Sequence, residues 1–196
     1  MAKKQSKLLT GKLRIIGGKW RSRLLPVVDL PGLRPTTDRV RETLFNWLQN
    51  DVPGAHCLDL FAGSGALGFE AASRGAASVT LLEKQKQAAE ILAANIRELK
   101  APHIQLLQCD AISWLNSKPS DRFDIVFIDP PFDSDCLAPA IQLLENQSSL
   151  SEDACIYLEM DAKQALPTLP ESWSVVRERK AGQVRYYLVR RNFVAK

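Results

Sequence analysis

Nowhere in these 196 residues do roughly 18 apolar residues run together, the length that a membrane-spanning helix requires, so no membrane association is expected. The basic start, residues 1–12, lacks the apolar centre of a secretion signal, so the expected location is the cytoplasm. Cysteine is sparse: Cys57, Cys109, Cys136 and Cys155 are scattered, with no CxxC pair and no histidine at ligand spacing. That excludes a zinc site or a disulfide framework from the expectation and suits a reducing compartment; no metal is expected. The two histidines, His56 and His103, have no serine or cysteine partner in a recognisable setting and read as ordinary loop or strand-edge residues. Hydrolytic triads are therefore not indicated.

Charge is unevenly spread. Residues 1–50 carry 11 Lys and Arg against three acids, Asp29, Asp38 and Glu42, whereas the other 146 residues carry 15 basic and 19 acidic groups. A basic arm on a near-neutral body is the footprint of a polyanion partner. For residues 1–12 alone, a solubilising tail without apolar periodicity is an equal reading. The division this suggests is a basic N-terminal arm, hairpin and helix over 1–50, packing on a catalytic domain over 51–196.

Within the arm, apolar runs at 13–16 and 24–28 flank Gly17-Gly18, which predicts a β-hairpin carrying Lys19, Arg21 and Arg23. Pro31, Gly32 and Pro35 break the chain, and Thr36 or Thr37 can cap a helix with Asp38 in its first turn. Val40, Leu44, Trp47 and Leu48 recur on one face of that helix. Beyond Pro53-Gly54, apolar runs at 57–61, 78–82, 104–108, 123–128 and 154–159 alternate with helical stretches at 66–74, 85–99, 112–115 and 137–145. Two final runs, 174–178 and 184–190, are separated only by a short break at Ala181-Gly182 and must pair antiparallel. The pattern predicts an α/β fold with a seven-stranded, mostly parallel sheet and an antiparallel C-terminal hairpin, the plan of a Rossmann-like class I methyltransferase. A small N-terminal hairpin and helix are added to it.

The chemistry gathers where strands end. Gly63-Ser64-Gly65-Ala66-Leu67-Gly68 follows a strand, opens a helix and satisfies GxGxxG, allowing backbone to approach a ligand closely. Glu83, 20 residues after Gly63, ends the second strand, where an acid accepts hydrogen bonds from ribose hydroxyls. Those features suit a nicotinamide dinucleotide and S-adenosylmethionine alike. Asp59 separates them: its carboxylate can meet the ammonium of a methionine moiety but would repel a pyrophosphate. Phe61, Ala62 and Gly65 complete this loop, and Lys84 follows Glu83. Asp110, with Ala111 after it, can accept from an adenine amino group or cap the next helix; beside Glu83 the ligand role is preferred.

The sharpest signal is Asp129-Pro130-Pro131-Phe132 at the end of the fourth strand. An aromatic amine is a poor nucleophile because its lone pair is delocalised. The Asp129 carboxylate and the Pro130 carbonyl can each accept one amino N–H and turn the lone pair toward an incoming methyl group. The two prolines fix the backbone, and Phe132 offers a face for a flipped base, worth about 1–3 kcal/mol. Transfer then depends on in-line positioning more than on a strong base. These residues predict methyl transfer from S-adenosylmethionine, with S-adenosylhomocysteine as product, to an exocyclic amine.

Asp-Pro-Pro-Phe with Asp59-x-Phe61-x-Gly63-x-Gly65 resembles the class I amino-methyltransferases acting on adenine, cytosine, guanine or glutamine. The run from Arg14 to Arg21 (Arg-Ile-Ile-Gly-Gly-Lys-Trp-Arg), with that from Leu33 to Leu48 (Leu-Arg-Pro-Thr-Thr-Asp-Arg-Val-Arg-Glu-Thr-Leu-Phe-Asn-Trp-Leu), is similar to the RsmD family over about residues 11–191. That resemblance implies methylation of the N2 amino group of one guanine in 16S rRNA, within the small ribosomal subunit or a late assembly intermediate; a monomer is expected. It also implies that the segment 34–41 lies beside the cofactor. Arg34 and Arg39 are expected to touch RNA; by their residue type alone they, like Arg41, are equally consistent with solvated positions. Lys19, Arg21 and Arg23 are the better phosphate contacts, since these need only reach and charge. The alternative substrates are a DNA adenine or cytosine and a protein glutamine. The first usually requires a target-recognition domain for which this chain has no insertion, and the second leaves the basic arm unexplained. A non-catalytic nucleic-acid-binding module conflicts with intact Asp129, Pro130 and Phe132.

Overall fold

The apolar runs become strands buried on both faces, because alternate residues of each strand face opposite helical layers. The computed structural model describes residues 9–28, 37–117, 120–131 and 134–192; Arg34 and Phe132 lie outside them. In chain order the elements are β1 (Leu9–Arg14), a 3₁₀ turn (Gly18–Trp20), β2 (Leu24–Val28), α1 (Asp38–Trp47), β3 (His56–Asp59), α2 (Ala66–Ser73), β4 (Ser78–Leu82) and α3 (Lys86–Leu99). There follow β5 (Ile104–Leu107), α4 (Ala111–Asn116), β6 (Phe123–Ile128), α5 (Leu137–Asn146), β7 (Leu150–Asp161), β8 (Trp173–Ala181) and β9 (Val184–Arg191).

Strands β5-β4-β3-β6-β7-β9-β8 form one sheet, parallel from β5 to β7, with β9 antiparallel to β7 and β8. The order reverses between β3 and β6, and ligands in open α/β sheets enter at such a switch point, outside the carboxyl ends of the strands. On one face Cys57, Val79, Leu81, Phe127 and Tyr157 pack under α2, α3 and the N-terminal elements. On the other, Leu58, Leu82, Val126, Ile128 and Leu158 pack against α4 and α5. No helix among the described residues is long and apolar enough to cross a membrane.

Strand β1 differs from the expected 13–16: it starts at Leu9 and pairs with β2 through a register shift beside Gly11. Backbone pairing with β2, not side-chain hydrophobicity, sets that start. Likewise β7 reaches back to Leu150 through the polar Ser151, Glu152 and Asp153, because Phe123 pairs with Leu150 before the register shifts. Thr37 caps α1, its Oγ1 accepting from the Val40 N–H at 3.4 Å.

The N-terminal elements are fastened to α2 by polar bonds that sequence inspection misses. Gly18, at φ +75°, lies so close to α2 that a Cβ would stand 1.9 Å from the Ser73 carbonyl oxygen. The Trp20 N–H donates to Ser73 Oγ at 2.9 Å. Glu70, fully buried, accepts from the N–H groups of Ile16 and Gly17, each at 2.8 Å, and from Arg74 Nε at 2.7 Å. Arg41 is a correction: neither solvated nor on RNA, it is 1% exposed. Its Nη2 donates to Asp38 Oδ1 and to the Arg14 carbonyl, and Nη1 stands 3.9 Å from Glu70. A buried pair contributes little net stability when intact, but removing one partner strands the other's charge. Glu70→Ala is therefore expected to lower unfolding free energy by about 3–5 kcal/mol, measured by urea denaturation; a loss too small to resolve would contradict this fastening role.

Candidate active site

Asp59 and Asp129 mark the two sides of the switch point. Asp59 ends β3 opposite Phe127 of β6, so Asp129 follows two residues further along the neighbouring strand. Asp129 is half-buried, Pro130 buried and Pro131 exposed. The Pro131 carbonyl accepts from the N–H and hydroxyl of Ser134, at 2.9 and 2.6 Å. Ser134, which no motif marks, thus bonds back to Pro131 and consumes its carbonyl.

The glycine loop is tied to both acids that were expected around the cofactor. Asp59, 2% exposed, accepts from the Gly68 N–H at 3.1 Å. Gly68 has no room for a side chain, since a Cβ there would meet Leu81 at 2.2 Å. Glu83 accepts from the Gly63 N–H at 2.8 Å and the Gln85 N–H at 2.6 Å. Phe61 is partly buried, Ala62 and Ala111 are buried, and the Ala62 carbonyl accepts from the Gly65 N–H at 2.6 Å. Asp110 caps α4, accepting from the Ser113 N–H at 2.9 Å, and pairs with the exposed Lys84 at 3.2 Å. That cap bond, with the help of Lys84, holds its carboxyl below the ordinary range.

Lys19, Arg21, Arg23 and Arg39 are all exposed. A cavity of about 110 Å³ opens between the arm and the loop, lined by Lys12, Arg14, Thr37, Asp38, Arg41 and Ser64. The Nε and Nη1 atoms of Arg41 are buried there without a hydrogen-bond partner. Lys12 and Arg14 carried no role in the sequence reading. The signal that could have flagged Glu70, Arg41's neighbour, is a lone charge inside the otherwise apolar helix α2.

Burial pushes the Asp59 carboxyl from its ordinary 3.8 up to about 7, against the lowering effect of the Gly68 and Phe61 N–H bonds and with a smaller push from Glu83. Burial raises Glu83 as well. The sign follows: below about pH 4 Asp59 is neutral folded and unfolded, between there and about 7 only the unfolded chain ionises it, and the cost of folding is constant above. Relative to the wild type, the stability of ligand-free Asp59→Asn should rise by on the order of 2–4 kcal/mol between pH 4 and pH 8, at about 1.4 kcal/mol per pH unit. Denaturation at the two pH values measures it; a flat difference would mean Asp59 is not held neutral by burial.

The family described as conserved hypothetical protein 95 matches residues 13–190. Ribosomal RNA small subunit methyltransferase D of Escherichia coli strain K12 is 51% identical over 182 residues, 93% of this chain and 91% of that protein. The solved structure of yhhF from Escherichia coli superposes with a TM-score of 0.87 at 47% identity, covering 94% of this chain and all of that one. The fold alone is shared with SMU.776 complexed with SAH, at a TM-score of 0.67 and 17% identity over 86% of this chain and 54% of that one. With the glycine loop, Asp59, Glu83 and Asp129 at one switch point, the chain belongs to the conserved hypothetical protein 95 family, the RsmD family, and is an S-adenosylmethionine-dependent methyltransferase.

Proposed function

We propose that the enzyme transfers a methyl group from S-adenosylmethionine to the N2 amino group of one guanine in 16S rRNA, within the small ribosomal subunit or a late assembly intermediate, acting as a cytoplasmic monomer. The observation that carries this reading is the pair Asp59 and Asp129 at adjacent strand ends, one acid suited to a cofactor cation and the other to an amine. The relative's name, ribosomal RNA small subunit methyltransferase D, supports the RNA as target.

The cofactor supplies a methyl group on a sulfonium, already a good leaving group. The residues present fit its parts. Asp59 takes the ammonium of the methionine moiety, and ionisation of its raised carboxyl is favoured when that cation arrives. The cavity beside Ser64, with Arg41, Lys12 and Arg14, suits the methionine carboxylate. Glu83 accepts from the ribose hydroxyls, with Lys84, Phe61 and Ala62 around the loop. Asp110 and Ala111 flank the adenine, Asp110 keeping its cap bond through Oδ1 while Oδ2, which also faces Lys84, serves the ligand. On the acceptor side, Asp129 and the Pro130 carbonyl each take one N2 hydrogen. With the cofactor bound, N2 would take the methyl group as the carbon–sulfur bond to it broke, and Asp129 would accept the excess proton left on the nitrogen. Pro131 fixes the turn and Phe132 stacks on the base. Lys19, Arg21, Arg23, Arg34 and Arg39 hold RNA phosphates.

Radiolabel transfer from S-adenosylmethionine to small-subunit particles lacking the modification tests the assignment: label is expected in one guanine of 16S rRNA, and label in DNA or protein instead would overturn it. Asp129→Ala should cut methyl transfer by about 10²-fold or more while leaving cofactor affinity within about threefold; a comparable loss of cofactor binding would contradict its role at the acceptor amine. Changing Lys19, Arg21 and Arg23 together to Ala should weaken substrate binding and reduce the slope of log K against log salt by about 2–3. An unchanged slope would mean the hairpin is not the RNA arm.

A further inference from the structure

Asp129 has an acidic neighbour that no motif announces. Parallel pairing aligns Ile128 of β6 with Leu158 of β7, so Asp129 and Glu159 come next on adjacent strands. Residues two apart in a strand share a face, which places Asp129 on the face of Phe127 and Glu159 on that of Tyr157. The Phe127 and Tyr157 rings meet edge to face, centroids 6.5 Å apart, so the two faces are one. Glu159 is 5% exposed, and the buried Tyr157 hydroxyl donates to its Oε2 at 2.5 Å. That bond fixes the orientation of the carboxylate, and Tyr186 of β9 pairs with Glu159 on its other flank. Burial, and then the charges of Glu159 and Asp129, raise the Tyr157 phenol well above its ordinary range, so it stays a donor.

Two carboxyl groups side by side in a partly desolvated strand end offer adjacent acceptors and suit a ligand whose donors are adjacent. Guanine is such a ligand: its N1–H and N2 hydrogens lie next to each other on the Watson–Crick edge. Adenine at N1 and cytosine at N3 present a lone pair instead. We propose that Glu159 is the specificity-determining residue for the base, accepting the guanine N1–H while Asp129 and the Pro130 carbonyl hold the N2 hydrogens; this rests on the guanine reading above. Tyr157 is then a positioning residue, acting through Glu159. A base with a lone pair at that position meets the carboxylate unpaired and is rejected.

The test uses small-subunit particles reconstituted with rRNA in which the target guanine is replaced by 2-aminopurine, which keeps the amino group but carries a bare N1. Wild-type enzyme is expected to favour guanine over 2-aminopurine by about 100-fold or more in kcat/KM. In Glu159→Gln the amide oxygen retains the Tyr157 bond and the NH₂ donates to the bare N1, so the ratio should narrow by about tenfold or more. An equal loss on both bases, with the ratio unchanged, would overturn the inference and make Glu159 structural. Should Glu159→Gln fail to fold, Tyr157→Phe, which releases the carboxylate, must narrow the same ratio for the inference to stand. Wild-type enzyme that methylates no guanine in the unmodified particle refutes the functional reading, and the inference with it.

Discussion

Parallel pairing of β3 with β6, in the register that sets Asp59 opposite Phe127, is the constraint from which the active site follows. It places the topological switch point between β3, which ends in Asp59, and β6, which Asp129 follows. The glycine loop leaves β3 and Asp129-Pro130-Pro131 leaves β6, which sets side by side the two segments proposed above for the methyl donor and the amine. A register slip of one residue would send Asp129 to the opposite face, among the α4 and α5 contacts.

Around that pairing the molecule holds an unusual amount of charge out of water. Asp59, Glu70, Glu83, Glu159 and Arg41 are all buried. Glu159 accepts from the Tyr157 hydroxyl, and the other four fall into two kinds. Glu70, satisfied by the N–H groups of Ile16 and Gly17 and by Arg74, and Arg41, bonded through Nη2 alone, join the basic arm to the catalytic core, so that the arm is oriented and not merely tethered. Asp59 is held by the N–H groups of Gly68 and Phe61, and Glu83 by those of Gly63, Lys84 and Gln85. Buried acids whose carboxyls are raised by desolvation gain from a cationic ligand, which suits a cofactor that brings an ammonium.

Much of this was legible in the chain. Runs such as 78–82 and 123–128 give their strands without error because a strand buried on both faces must be apolar throughout. The short break at Ala181-Gly182 yields the antiparallel end of the sheet for a geometric reason. Asp59, Glu83 and Asp129 could be found because each ends an apolar run. What escaped depends on contacts between distant segments. Arg41 sits among residues that look like a solvated basic face, and only the approach of Glu70, 29 positions away in the sequence, shows that it is buried. Glu159 lies inside β7 with no flanking motif; its neighbour Asp129 is supplied by the sheet. The sequence around Asp110 allows both a ligand contact and a cap, and the cap bond from Ser113 is present.

The same chemistry on a different amine would leave the fold, the loop and both aspartates unchanged, so the identity of the acceptor is where the account is most exposed. Mapping modified nucleotides in small-subunit rRNA from cells with and without this gene tests it most directly. The account predicts that a single guanine loses its N2 methyl group in the deletion strain and regains it on complementation. An unchanged rRNA methylation pattern, or loss of a methyl group from another base, would contradict it.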